Sequence, residues 1–139
     1  FRNTKMSWIV DGLSNTLGFS ECLQGQVGTG VSGTANVADI RGGAYHAAFC
    51  WFTTWIPPNY KGPDVNPDSG NCCVPKEKAP CVSAKMVGGP TSLAARSRHP
   101  GGVNASLLDG SVRFVSDTIE WATWQALATS EGNETISNF

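Results

Sequence analysis

The chain has 139 residues and a formal charge of −1, from 10 Lys and Arg against 11 Asp and Glu. Hydrophobic residues make up 40% and charged residues only 15% of the chain, which argues against intrinsic disorder and against a basic nucleic-acid-binding surface. No run approaches the roughly 18 apolar residues of a membrane-spanning helix, and we expect residues 1–139 to form a single globular domain.

Segment 1–24 is predicted to contain a short helical turn, a chain reversal and a strand. Ser7 is a candidate cap for one helical turn, and Asp11-Gly12 is a turn signal. Residues 16–23 alternate loosely between apolar and polar side chains, which predicts a strand.

Residues 25–45 are rich in glycine and small polar side chains. A formal G-x-G-x-x-G occurs at Gly28, Gly30 and Gly33, but a dinucleotide site needs a preceding strand and a helix that opens inside the motif. Because no helical stripe of apolar residues follows, the pattern favours a flexible loop over a phosphate site.

The most apolar stretch covers residues 44–56. Its aromatic and threonine content favours a strand, which Pro57-Pro58 would end. His46 lies near its start among apolar neighbours, which favours a structural histidine over a metal ligand.

Residues 57–98 are predicted to be loop, because closely spaced Pro and Gly pairs interrupt them. A structureless loop of this length is unusual in a compact domain, so disulfides are the expected means of ordering it. Asp64, Asn66 and Asp68 alternate here, and their oxygens leave Ca²⁺ open as a cofactor, although no EF-hand pattern is completed.

Four of the five cysteines are expected to form two disulfides, in preference to free buried thiols or a zinc site. A zinc site is disfavoured because paired C-x2-4-C spacings are lacking. Adjacent cysteines rarely bond to each other. Cys72 and Cys73 should therefore reach different partners, with Cys22, Cys50 and Cys81 as candidates, and the pairing stays open.

The clearest local signal is a β-hairpin at Asp109-Gly110. Asp-Gly between two strand-like runs predicts a two-residue type I′ turn, which would pair Leu107 with Val112 and Ala105 with Phe114. This register sorts the apolar residues onto one face, with Leu108 and Val115 as exceptions. The predicted apolar face consists of Val103, Ala105, Leu107, Val112 and Phe114.

A helix is predicted over residues 118–130. Asp117 is a candidate N-cap, with Glu120 completing a capping-box pattern. Apolar residues recur at helical spacing, and Gly132 suits the end of the helix. These apolar residues are Ile119, Ala122, Ala126 and Leu127. Trp121 and Trp124 are expected to seat the helix on the sheet.

The sequence offers little catalytic chemistry, so we expect no enzymatic activity. His46 and His99 have no recognisable ligand spacing, and the surroundings of Ser20 do not form G-x-S-x-G. No metal site is predicted. The residues closest to forming one are Asp64, Asp68, His99 and Asp109.

Three separated motifs resemble one known family. His99, nine further residues and Asp109-Gly110 form a His-x9-Asp-Gly pattern, the stretch 9–16 reads I-V-D-G-L-S-N-T, and residues 123–139 resemble a closing helix and terminus. Together they resemble the bacterial prepilin-like family of unknown function, which is similar to type II secretion pseudopilins. The residues carrying the resemblance are Asp11, Gly12, Ser14, Asn15, Thr16, Glu21, His99, Pro100, Gly101, Gly102, Asp109 and Gly110.

The resemblance implies an α+β, mainly antiparallel head of pilin type, with long loops and a C-terminal helix. Family members carry a hydrophobic N-terminal helix that these 139 residues lack, so the chain resembles the C-terminal part of an exported head. It further implies an extracytoplasmic structural or assembly subunit that partners itself or other pilin-like subunits. Membrane contact would come only through the missing helix, no nucleic acid is expected, and the family supplies no catalytic residues.

Two questions remain open at this point. The alternative function is a surface module that binds carbohydrate or a small solute through Trp51, Trp55 and the long loops. His99 is expected to brace the bend at 100–102 by bonding backbone or the turn at Asp11-Gly12 or Asp109-Gly110. The alternative is a metal or ligand contact shared with Asp109 or Asp11.

Overall fold

A computed structural model describes residues 5–25, 39, 41–42, 51–66, 73–83, 90–132, 134, 136 and 139. It contains two short 3-10 turns, five strands and one helix in these residues. The turns are Met6–Trp8 and Leu13–Asn15; the strands are β1 (Leu17–Ser20), β2 (Asp64–Asn66), β3 (Cys81–Ser83), β4 (Gly102–Leu107) and β5 (Val112–Ser116); the helix is α1 (Trp121–Ala126).

The main sheet is antiparallel, with strand order β1-β4-β5. The predicted α+β class is therefore confirmed, as are a strand within residues 16–23 and the hairpin of β4 and β5. Lys5, and not Ser7, precedes the first 3-10 turn, and it makes no side-chain capping bond.

The register of the hairpin differs from the predicted one by one residue. Ser106 pairs with Val112 and Ala105 with Arg113. The Leu107 N–H donates to the Ser111 carbonyl at 2.9 Å, which leaves a three-residue loop. A type I turn ending in a residue with positive φ forms such loops, and Gly110 has φ +86°. The predicted two-residue type I′ turn is wrong. Asp-Gly is compatible with a two-residue loop and with a three-residue loop.

This shift turns the side chains of β5 over. Val112 and Phe114, predicted to be buried, are 66% and 52% exposed, whereas Val115 is buried. The prediction for β4 holds, since Val103, Ala105 and Leu107 are all buried. Val115 lies opposite Val103 and is the residue through which β5 joins the core.

The core lies between this face of the sheet and the C-terminal segment. Its fully buried members pack together with partly buried hydrophobic residues from both ends of the chain. The buried members are Ala95, Val103, Ala105, Val115, Trp124 and Leu127; the partly buried ones are Leu17, Phe52, Ile119, Ile136 and Phe139.

Helix α1 is six residues long and is shorter than the predicted 118–130. Glu120 precedes it without a side-chain capping bond, so the cap predicted at Asp117 is wrong. Trp124 is buried, stacks on Phe52 at 5.8 Å and donates its Nε1–H to a backbone carbonyl. Trp121 is exposed and donates its Nε1–H to the Thr54 carbonyl, so of the two tryptophans expected to seat the helix only Trp124 is buried in the core.

The segment 57–98 is predicted to be loop, and this prediction is wrong in part. The segment contains the parallel pair of strands β2 and β3. Val65 also bridges to Ser92. The strands are three residues long, and the buried residues of β2 are the polar Asp64 and Asn66. Neither length nor hydrophobic pattern therefore indicates this sheet. Residues 51–56 form no strand, contrary to the prediction. Gly28, Gly30, Gly33, His46 and residues 43–50 lie outside the described part.

A disulfide joins Cys73 to Cys81, with their Cα atoms 5.8 Å apart. The bond links Cys73, eight positions before β3, to Cys81, the first residue of that strand. Cys22 is exposed, and Cys50 and Cys72 lie outside the described residues. Disulfides persist in oxidising compartments, so the bond indicates a non-cytoplasmic protein. Within the described residues, no helix is long and apolar enough to cross a membrane.

Candidate functional site

The residues that carry the family resemblance gather at the two ends of β4. His99 to Gly102 lie where β4 begins, and Asp109-Gly110 lie just beyond its end. The nine residues between His99 and Asp109 therefore comprise the bend before β4, strand β4 itself and the first residue of the following turn. The two side chains do not meet.

At the beginning of β4, Glu21 is the central group. Its Oε2 accepts the backbone N–H of Asn104 at 2.7 Å, and its Oε1 lies 3.1 Å from the His99 Nε2. Partial burial raises the pKa of the Glu21 carboxyl, but the hydrogen bonds from Asn104 and His99 outweigh it, and the pKa lies below its ordinary value. The carboxylate therefore ties the end of β1 to β4.

His99 bonds a carboxylate and neither of the two turns that the sequence suggested. Its ring also meets Phe114 edge to face, with ring centroids 6.4 Å apart. Glu21 is 78 positions away in the chain, so no local pattern indicated this partner. A metal or ligand contact of His99 shared with Asp109 or Asp11 stays a prediction.

The bend at 100–102 is fixed by backbone geometry and by two neighbouring side chains. Gly101 has φ +81°, a conformation that favours glycine. A Cβ on Gly102 would collide with the Val115 carbonyl oxygen. Ser97 Oγ and Asn59 Nδ2 both donate to the Gly102 carbonyl, at 2.7 and 3.2 Å. The bend is therefore held from both sides.

At the other end of β4, the side chain of Asp11 holds the C-terminal segment. Its Oδ2 accepts the Thr129 hydroxyl at 3.1 Å and the Gly132 N–H at 2.9 Å. Asn15 Nδ2 donates to the Asp11 carbonyl, and Thr16 Oγ1 donates to the Gly12 carbonyl. The bonds of the Asp11 side chain join this turn to the segment after α1, and the two local bonds hold the turn itself.

The hairpin tip contacts the same N-terminal turn. The Asp109 N–H donates to the Leu13 carbonyl at 3.1 Å. Asp109 Oδ1 accepts the Ser111 hydroxyl at 2.6 Å and the Ser111 N–H at 2.8 Å. These bonds to Ser111 lower the pKa of the Asp109 carboxyl. Asp109 thus stabilises the turn, while Ser14 is exposed beside it.

A buried network of four charged side chains lies outside the family motifs. Arg41 contacts Asp39 at 2.6 Å and Asp64 at 2.7 Å, and Arg96 contacts Asp64 at 2.8 Å. The remaining guanidinium N–H groups donate to backbone carbonyls. Burial lowers the pKa of Arg41, but its bonds to Asp39 and Asp64 outweigh this and raise the pKa. The network is neutral, with each charge paired.

Sequence reasoning missed this network, although one signal was present. Arg96 follows Leu93, Ala94 and Ala95 in a run of small and apolar residues that is buried from 93 to 97. An arginine in such a run requires buried acceptors. Its acceptor Asp64 is 32 positions away, and its own local pattern suggests only a possible Ca²⁺ ligand. The Asp64 carboxylate is instead occupied by two guanidinium groups, and Asp68 lies outside the described residues.

Two open depressions lie near the motif residues. A polar cleft of about 280 Å³ adjoins His99 and is lined in part by Asn59, Lys61, Lys78 and Asp117. A groove of about 490 Å³ is lined by Phe19, Trp51 and Trp55 together with residues of β1 and the 51–55 segment. Both tryptophans named in the binding alternative therefore border one groove.

The chemistry available at the polar cleft is limited by how its groups are engaged. Ser97 Oγ donates to the Gly102 carbonyl and accepts the backbone N–H of His99. The imidazole itself contacts Glu21. A nucleophilic serine needs a base within hydrogen-bonding reach of its oxygen, and Ser97 and His99 do not form that contact.

A small α+β fold, braced at both ends of one hairpin strand by its motif residues, is thus the class that fold and site define. Residues 2–122 match the model of a family described as protein of unknown function (DUF1559). The chain belongs to this family, which is found in bacterial pilin-like, prepilin-type proteins. No curated protein and no solved structure matches the chain.

Proposed function

We propose that this chain is a non-enzymatic head that assembles with other pilin-like subunits in a surface filament or a secretion-associated structure. One observation carries the proposal: the carboxylates of Asp11, Glu21 and Asp109 all accept hydrogen bonds from within the chain. Carboxylates that accept hydrogen bonds from within the chain stabilise its fold. Contacts with other subunits would then be made by other residues on the surface of the head.

The outer face of the main sheet supports an assembly role. Phe19, Ser106 and Val112 lie in one cross-strand row, and Phe114 lies on the same face. Phe19 is 76% exposed. Neighbouring exposed apolar side chains, rimmed by polar ones, are typical of interaction sites in soluble domains.

The proposed location is the cell surface, the periplasm or an extracellular filament. The Cys73–Cys81 disulfide supports an oxidising compartment, and the family supports a pilin-like context. Neither a cofactor nor a nucleic-acid partner is part of the proposal.

The test is to express the protein from its own gene in its host and to fractionate sheared surface material. We expect antibodies against residues 90–132 to label filaments in electron microscopy, or to co-precipitate pilin-like proteins. Recovery of the chain only as an unassociated monomer would contradict the proposal. So would substrate turnover that His99→Ala abolishes while the melting temperature is unchanged.

The solute-binding alternative is separated by tryptophan fluorescence. The assembly role predicts no saturable change with a panel of mono- and oligosaccharides. A saturable change that Trp55→Ala removes, and that Trp121→Ala leaves intact, would favour a binding module instead. Trp121 is the matched control because it is exposed but does not line the groove.

A further inference from the structure

Strand β5 is one edge of the main sheet, and the direction of its backbone groups follows from the two ends of the hairpin. At the tip, the Leu107 N–H donates to the Ser111 carbonyl. At the other end, the Asp117 N–H donates to the Gly101 carbonyl. Hydrogen-bonded and non-bonded pairs alternate along an antiparallel ladder. Residues at odd positions of β5 therefore bond to β4.

The even positions of β5 consequently direct their backbone N–H groups outwards. The backbone N–H groups of Arg113 and Val115 point towards β4. Those of Val112, Phe114 and Ser116 point towards the open edge. Within the described residues, no strand lies on this side of β5. The three outward-directed residues are all exposed. Their N–H groups are accessible, while the Ser116 carbonyl also accepts the Ile119 N–H at 3.1 Å.

The opposite edge of the sheet is less suited to pairing. Strand β1 has an irregular register between Leu17 and Phe19, and a bulge of this kind twists a strand and disrupts its ladder. β5 pairs regularly with β4 over its whole length. An open and regular edge strand is a template for another strand.

We propose that β5 pairs antiparallel with β5 of a second copy of this chain, around a two-fold axis at Phe114. This inference rests on the proposed function and names a contact that joins two subunits into a pair, since a two-fold contact closes on itself. Phe114 then faces Phe114 of the second copy, and Val112 faces Ser116. The pairing joins the two sheets into one and doubles the exposed apolar face that contains Phe19.

Charge selects this register over its neighbours. An axis at Arg113 would place two arginines directly opposite each other, and like charges in that position are destabilising. With the axis at Phe114, Arg113 lies opposite Val115 of the second copy, and its two diagonal neighbours there are Arg113 and Asp117. The like charges are then no longer directly opposite, and each arginine has an acidic neighbour at the same spacing. An axis at Val115 would leave Val112 outside the paired strands.

The proposal is tested first on the unaltered 139-residue chain, with amide hydrogen exchange and sedimentation over a concentration range from about 10 µM to about 1 mM, where a modest interface populates its dimer. We expect the mass to rise from 14.7 kDa to twice that value. The amides of Val112, Phe114 and Ser116 should become protected only at high concentration. Those of Arg113 and Val115 should be protected throughout.

A variant isolates the edge. Phe114→Pro removes an outward N–H and the aromatic pair without removing a donor to β4, and edge positions tolerate proline. We expect the dimer Kd to rise at least about tenfold, as loss of two symmetric hydrogen bonds predicts. Phe19→Thr is the matched control, because it removes an exposed Phe from the same face but at the opposite, β1 edge of the sheet.

Two outcomes would overturn the inference: a chain that is monomeric at every concentration, or a dimer in which the Val112 and Phe114 amides exchange freely. The exchange experiment needs no variant, so misfolding of Phe114→Pro does not weaken the test. Filaments labelled in electron microscopy together with an unprotected β5 edge would refute this contact while the assembly role stands. Absence of both would refute the two together.

Discussion

At the scale of single residues, the dominant feature is that charged side chains hold distant segments together. Arg96 and Arg41 share the carboxylate of Asp64, and Glu21 joins β1 to β4. These contacts make different predictions, because the arginine network is buried whereas Glu21 is about one-third exposed.

Arg96→Met should strongly destabilise the fold. It leaves Asp64 with one ionic partner and removes donors to the Tyr60 and Gly62 carbonyls. Breaking a buried ion pair costs about 3–5 kcal/mol, measurable as a lower free energy of unfolding in urea. The control Arg98→Met alters an exposed arginine two positions further along the chain. It should change the free energy of unfolding by less than about 0.5 kcal/mol. Equal losses in the two variants would contradict the structural role of the network.

Glu21→Gln should destabilise the chain in a pH-dependent way. Because the folded pKa of Glu21 is lowered, its carboxylate contributes stability above the unfolded pKa, and this contribution is lost as pH falls through the folded pKa. The melting temperature of the variant should therefore be a few degrees below that of the wild type at about pH 7. Near pH 3 the two melting temperatures should be the same. Glu120→Gln is the exposed control. A melting difference that does not depend on pH would refute the assignment.

At the scale of elements, the hairpin shows how a correct element can carry a wrong register. The Asp-Gly signal located the turn, and the apolar alternation of β4 is observed. The loop length was decided by Gly110 in a left-handed conformation, together with the bond from Leu107 to Ser111. Both candidate loops accept Asp-Gly, so the local sequence could not choose between them.

Gly110→Ala tests that loop directly. Nothing lies within 4 Å of a Cβ placed there, so the cost is only that of the positive φ. We expect a loss of about 1 kcal/mol in the free energy of unfolding. Gly110→Asn should lose less, since asparagine adopts this conformation more readily. If Ala and Asn were equally harmless, the left-handed turn would be wrong.

At the scale of the whole molecule, the short parallel sheet depends on long-range links and not on its own strands. β2 and β3 have three residues each. Asp64 of β2 binds both buried arginines, and Cys81 of β3 carries the disulfide. This half of the chain is therefore stabilised by ionic and covalent contacts, whereas the antiparallel half has the apolar core.

The disulfide can be checked by peptide mapping. Trypsin cleaves after lysine, so an unreduced digest should contain peptide 62–76 linked to peptide 79–85, and fragmentation should place the bond at Cys73. The double variant Cys73→Ser/Cys81→Ser should lose about 2–3 kcal/mol of unfolding free energy, the magnitude expected for closing a short loop. A bond from Cys81 to Cys72 would contradict the structure.

The sequence by itself determined a strand within residues 16–23, the hairpin at Asp109-Gly110, the buried face of β4 and the presence of a disulfide. These follow from patterns within a few residues, where turn geometry and alternation act directly. Only the tertiary structure decided the hairpin register, the Glu21–His99 contact, the arginine network and the parallel strands. Each of these depends on groups brought together from distant positions or on a turn whose local sequence fits two geometries, and the free energy that selects among them comes from burial and pairing in the folded chain.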